Sequence, residues 1–499
     1  MALLNAIAAK VREDVAQTPP LAQNAARSPR IVARSRTKGR RGLHRAEHSA
    51  TGYAAPSRGP DLSPSEATKH SRALGRQLPQ HLAQDAATSI KNLRPPPGMM
   101  PHMLAVFLAL AVSCAPQDPP RNLEAILTNG SKLMQAVAKD ATEHRLQILL
   151  AEPVQQPDGS VTLRRSRLGD PRRYFYPASS VKLCAIVAAL EELNARNKRD
   201  HTTFGLDTPI AIEARFPGDK RIDKDATNRA DGTLTLGHCI RRICLVSDNE
   251  CFNHLYEICG QQRLNEVLWE AGYRSVRIRH RLSEANPTPD QAKARPVVLG
   301  HGDQAIRIAH ADSNLNLTND LWTDLSLGKA VMRAGKRIDE PMSCMTKNAV
   351  LLQDLQDMLV EVVHPEIDTG TKGFPGLTTE QREFLKQAMS QLPRHSSNPV
   401  YDEKKYPDDY VKFFLPGVTK VVPLEHVRIY SKIGCAYGCT IENSWIEDLR
   451  TGKGFALAAV IYTNPDGVMN DDAYGYEQIA YPFLADLGEA IARAVFAGK

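Results

Sequence analysis

The chain has 499 residues, 42% of them hydrophobic, and a formal net charge of +7. That length holds two or three ordinary domains, or one large domain with irregular extensions, and the composition is that of a globular protein with a substantial core. The charge is uneven: residues 1–98 carry 16 Lys/Arg and 6 Asp/Glu, and the remainder carries 47 basic and 50 acidic residues. The body is near neutral, so composition argues against a polyanion-binding role there, and no nucleic-acid partner is expected.

In chain order, residues 1–98 are rich in Arg, Pro, Ser, Ala and Gln and lack apolar periodicity. They read as a disordered basic segment, solvated or upstream of the true start, and no base-reading module accompanies them. Met103 to Val112 (MLAVFLALAV) is then an uninterrupted apolar run, followed by Ser113, Cys114, Ala115 and Pro116. Ten residues are too few to span a bilayer but match the hydrophobic core of a secretory signal. Small residues beside a cysteine resemble the lipobox of bacterial lipoproteins, which makes Cys114 the expected lipid anchor. Residues 99–119 are therefore read as a signal-like segment, with initiation near Met99 and export to the periplasm or a membrane-anchored state. A short buried helix is the alternative.

From residue 120 the chain reads as ordered. Arg145–Ala151 suits a strand, and Pro157, Asp158 and Gly159 turn into a second strand, Ser160–Arg164. A helix is predicted after Pro177, with Leu183, Ile186, Val187 and Leu190 on one face. Phe252, Leu255, Tyr256 and Cys259 repeat that spacing, as do Leu264, Val267, Leu268 and Ala271. Residues 285–425 read as an insertion, helical over Val350–Val363. Strands return at Val427–Ile433 and Phe455–Tyr462, before a last helix carrying Leu484, Leu487 and Ile491. Strands at both ends with helices between them imply a sheet closed by distant segments. The nine cysteines form no paired CxxC sets, and Cys184 with Cys239 is the one candidate disulfide considered.

Three short motifs stand in order: Ser179-Ser180-Val181-Lys182 at a helix start, Ser247-Asp248-Asn249 between helical stripes, and Lys432-Ile433-Gly434 on a late strand. Each alone has a plain alternative: a capping serine with a surface lysine, an inter-helix turn, a strand-surface charge. Together they supply what serine acyl transfer needs. A serine hydroxyl requires a base, and Lys182 lies one turn from Ser179 on the same face. Desolvated beside other cations, Lys182 becomes a neutral amine that takes the Ser179 proton. Ser247 relays a proton to the leaving group, Asn249 holds a substrate amide, and Lys432 attracts a substrate carboxylate. The backbone N–H groups of Ser179 and Cys435 are suitably related to form an oxyanion hole, with Gly434 between the lysine and that cysteine.

The set SxxK, SDN and a KTG-like triplet resembles the class A serine β-lactamases and the penicillin-binding proteins, over roughly residues 120–499. The resemblance implies an α/β (α+β) fold: a five-stranded antiparallel sheet flanked by helices, with an all-helical subdomain bearing the SDN loop. Two departures stand out. Ile433 replaces the usual Thr or Ser, removing a hydroxyl that helps grip a carboxylate. Glu284 is the only acid near the position of the deacylating glutamate, and its setting lacks the usual Glu-x-x-Leu-Asn pattern. The expected activity is a serine hydrolase forming an acyl-enzyme at Ser179, acting on a β-lactam or another amide or peptide that carries a carboxylate. The alternatives are a penicillin-binding or sensing lipoprotein that acylates with little turnover, and a non-catalytic interaction protein. No nucleotide cofactor and no metal are expected, because no phosphate-cradling, dinucleotide or HExxH pattern occurs.

Overall fold

The computed structural model describes residues 119–284, 290–309 and 312–497, all within one folded unit. The basic segment 1–98 and the apolar run with Cys114 lie outside the described residues. Helices α1 (Leu123–Thr128) and α2 (Lys132–Lys139) come first, their N-termini capped by the side chains of Asn122 and Ser131. Strand β1 (Gln147–Gln155) turns back into β2 (Val161–Leu168). A 3-10 turn, Ala178–Val181, runs directly into α3 (Lys182–Asp200). Helix α4 (Leu236–Val246) meets α5 (Asn249–Glu270) at the Ser247-Asp248 junction. Then follow α6 (Leu352–Val363), β3 (Ile367–Asp368) and α7 (Thr379–Ser390). Strands β4 (Val427–Ala436), β5 (Cys439–Asp448) and β6 (Lys453–Tyr462) and helix α8 (Tyr481–Phe496) complete the unit.

The main sheet has the order β3-β2-β1-β6-β5-β4. Its five long strands are antiparallel, and the two-residue β3 adds in parallel to β2, so the expected five strands gain a sixth at one edge. Both faces of the sheet are buried. On β6, Ala456, Ala458 and Val460 face the cluster containing α3, α5 and α6, while Phe455, Leu457 and Ile461 face the cluster containing α1 and α8. This two-sided burial is why β6 reads as a continuous apolar run rather than an alternating one. Each fully buried Leu or Ile there contributes roughly 1.5–3 kcal/mol.

Helix α5 packs on α3 and joins both predicted stripes in one element, bent where Gly260 adopts φ 68°, ψ 158°. The helical half is not wholly helical: strands 210–212, 297–299 and 306–308 form a small antiparallel sheet within it. Part of the stretch read as an insertion is core. Gln356 on α6 donates to the Leu149 carbonyl (2.7 Å), and Asn443 donates to the Leu355 carbonyl (2.7 Å), which binds α6 to the sheet. The pairing considered for Cys184 and Cys239 does not occur; both thiols are free and buried. Among the described residues no helix is long and apolar enough to cross a membrane.

Candidate active site

The 3-10 turn sets the first motif. Ala178, buried, is held at φ 47°, a conformation that is rare for a residue with a side chain and persists only where the surroundings impose it. The Lys182 N–H donates to the Ser179 carbonyl, and in a 3-10 turn side chains three apart eclipse one another. Ser179 and Lys182 therefore stack along one edge. Of the two adjacent serines, Ser180 is buried and donates its hydroxyl to the Pro177 carbonyl (2.7 Å). Ser179 remains partly open to solvent.

The second motif caps two helices at once. Ser247 ends α4 in the left-handed conformation (φ 58°, ψ 42°), and Asp248 caps α5 by accepting from the Cys251 N–H (2.9 Å). Arg242 donates to Asp248 (2.6 Å) and also pairs with Asp225, fixing the turn from behind. Asp248 is thus structural, while Ser247 and Asn249 face the amine of Lys182. That amine donates to the Ser247 carbonyl, to Asn249 Oδ1 (2.6 Å), and lies 3.3 Å from Ser247 Oγ.

The third motif lies on β4, the edge strand, which runs beside the Ser179 turn. Lys432 Nζ donates to Ser247 Oγ (2.9 Å), so one hydroxyl stands between two buried amines. Strand alternation then sends Ile433 to the opposite face, into the apolar layer under α8. The missing hydroxyl at this position is therefore replaced by core packing. Gly434 returns to the site face: a Cβ built there would lie 2.5 Å from the Pro177 carbonyl and 3.1 Å from the Ser179 nitrogen. Only glycine permits this approach. The Cys435 side chain turns away from the site, its Sγ 3.4 Å from the Tyr481 hydroxyl.

Burial, and then the charge of Lys432, push the Lys182 amine well below the ordinary lysine range. Lys432 is lowered to about 7, chiefly by burial. Glu284 accepts from Gln291 (2.8 Å) and lies 3.9 Å from the Arg281 guanidinium; the groups acting on Lys182 are Lys432, Asp248 and Cys251.

Several residues near the site were not foreseen. Lys412 lies fully buried behind β4, donating to the Met389 (2.5 Å) and Ile429 (2.9 Å) carbonyls. Tyr437, in the two-residue turn with Gly438, packs edge-on to Tyr176 (4.8 Å), just before the Ser179 turn. A Tyr-Gly turn between two apolar runs was visible as a hairpin signal; Lys412, between Val411 and Phe413, carried none.

Residues 167–323, which hold the first two motifs, match the model of the beta-lactamase enzyme family. The fold of the described residues is α/β, a mixed sheet with helices. Among solved structures, it is similar to a β-lactamase from Desulfarculus baarsii DSM 2075, at 14% identity and TM-score 0.42, covering 76% of this chain and 99% of that one. The β-lactamase from Streptomyces albus G gives 12% identity and TM-score 0.39, covering 73% and 100%. A β-lactamase from Sphaerobacter thermophilus DSM 20745 gives 14% and 0.38, covering 73% and 96%. No curated protein sequence matches the chain.

Proposed function

We propose that this chain is a serine acyl-transfer enzyme of the β-lactamase type, with Ser179 as nucleophile toward an amide whose acyl portion or neighbour carries a carboxylate. The observation that carries the reading is the Ser247 hydroxyl held between the buried amines of Lys182 and Lys432, one turn from the open hydroxyl of Ser179.

A neutral Lys182 donates its two N–H groups to the Ser247 carbonyl and Asn249, leaving its lone pair for a proton. In the acylation step the Ser179 Oγ–acyl carbon bond forms, and the Ser179 proton passes to Lys182. The substrate C–N bond then breaks. The proton moves from Lys182 through Ser247 to the leaving nitrogen, while Lys432 holds the hydroxyl as donor. Lys432 and the adjacent edge of β4 draw in the carboxylate, and the N–H groups of Ser179 and Cys435 are assigned to the oxyanion. The partners of Glu284 favour a second reading within the same class, in which the acyl-enzyme forms readily and hydrolyses slowly.

Mass spectrometry of the intact chain after exposure to a penicillin, and separately to activated acyl esters, tests both. An adduct on Ser179 that disappears in Ser179→Ala supports acyl transfer, and its decay measures turnover. Undiminished labelling of Ser179→Ala refutes the assignment.

A further inference from the structure

Immediately behind the Ser247-Asn249 turn, α4 and α5 present Cys239, Cys251 and His254 to one another. We propose that these three side chains bind a thiophilic divalent cation of the zinc class, which clamps α4 to α5. The donor atoms of all three lie within 4.8 Å of one another, and all three residues are buried. Cys239 Sγ is 3.9 Å from His254 Nδ1. Metal–donor distances of about 2.3 Å to sulfur and 2.0–2.1 Å to nitrogen put tetrahedral donors roughly 3.5–3.8 Å apart. Closing the cluster onto an ion therefore takes small side-chain rotations and no movement of the helices.

The arrangement follows from sequence spacing that no linear zinc pattern reveals. Cys251 and His254 are three apart on α5 and share a face, and Cys239 comes from the first turn of α4. Two thiolates and a neutral imidazole around a doubly charged ion make a neutral unit, as a dry interior requires. The adjacent Arg242 is already shared between the carboxylates of Asp225 and Asp248, so the cluster has no spare cation to neutralise two thiolates. Two sulfurs and one nitrogen select a soft or borderline ion over magnesium or calcium. Binding forms two sulfur–metal bonds and one nitrogen–metal bond, a water molecule takes the fourth tetrahedral position, and the thiol protons pass to solvent.

His254 argues against the competing chemistry. Its Nε2 is buried and has no hydrogen-bond partner. A disulfide between the two cysteines would take the thiol from Nδ1 as well, leaving both ring nitrogens of a buried imidazole unsatisfied. A metal ion bound through Nδ1 keeps that nitrogen engaged, which the disulfide would not. The consequence is local: ligands at positions 239, 251 and 254 bracket the turn at 247–249, so the ion would hold Ser247 and Asn249 in place.

The test counts the ion and does not depend on the acyl-enzyme reading. The full chain, reduced and freed of metal with a strong chelator, is titrated with Zn2+ and with Co2+. One zinc per chain by elemental analysis, a thiolate-to-cobalt charge-transfer band, and a Tm that rises on zinc addition are expected. Cys251→Ser and His254→Ala should lose the zinc and weaken or abolish the cobalt band. A folded wild-type chain that takes up neither ion overturns the proposal, even if the variants fail to fold. So does zinc retained in His254→Ala, or alkylation masses showing a Cys239–Cys251 disulfide in the protein as purified.

Discussion

The closest approach in the site is Gly434 against the Ser179 turn, and Gly434→Ala perturbs it with one methyl group. The new Cβ would lie 2.5 Å from the Pro177 carbonyl oxygen and 2.8 Å from the Ser180 nitrogen, whereas ordinary contact begins at 3.4 Å. Both obstacles are backbone atoms, so no side chain can swing away; β4 and the turn must separate by about 0.9 Å. The displacement falls on the hydroxyl, on the backbone donors beside it and on Lys432, whose relative positions decide the acylation rate. A misplacement of about 1 Å costs on the order of 10²-fold in rate, equivalent to about 2.7 kcal/mol of barrier. Overpacking of this kind costs roughly 1–3 kcal/mol of stability, less than the ~5–15 kcal/mol that holds a typical domain together. The variant should therefore fold and react slowly. Timed mass spectrometry of adduct formation gives the rate, and a urea melt gives the stability. A folded Gly434→Ala chain that acylates at the wild-type rate would refute the close-approach argument.

Acylation by a carboxylate-bearing ester should rise with pH as Lys182 loses its proton and fall near pH 7 as Lys432 loses its own. The fall should vanish in Lys432→Arg, whose guanidinium stays charged; a fall that persists there removes Lys432 as its cause. Because a lysine in the unfolded chain titrates near 10.4, the unfolded state binds more protons between about pH 7 and 10. In that window the Lys432 contribution makes stability increase with pH. Lys412→Met strands the Met389 and Ile429 carbonyls in the interior, at about 1–3 kcal/mol each. A urea midpoint unchanged from wild type contradicts that cost. Glu284→Gln should leave the lifetime of the adduct within about twofold if the carboxylate serves to accept from Gln291 beside Arg281 rather than to activate water. A much longer-lived adduct in that variant would restore Glu284 as the base that activates water.

How much could be read without coordinates depended on whether the signal was local. The SxxK spacing, the turn-forming Ser-Asp-Asn and the two-sided apolar run of β6 are all short-range patterns, because helical and strand periodicity act over a few residues. They sufficed for the fold class and for singling out Ser179, Lys182, Ser247, Asn249 and Lys432 as candidates. Other properties come from residues far apart in the chain. Ile433 looked like a lost substrate contact until alternation placed it under α8, and Gly434 became indispensable only once β4 lay against the 177–180 turn. Nothing local marked Lys412 as buried, and α6 read as part of an insertion, because burial is set by what packs on a segment and not by the segment itself.

The sequence by itself determined which chemical groups the chain carries and the turns and helix starts that present them. The tertiary structure alone decided which groups lose their water: it buried Lys182 and Lys432 on either side of one hydroxyl and gathered Cys239, Cys251 and His254 across two helices. The reason is physical. Reactivity of an amine or a thiol follows its solvation and its charged neighbours, and both are made by segments that the fold, not the local sequence, brings together.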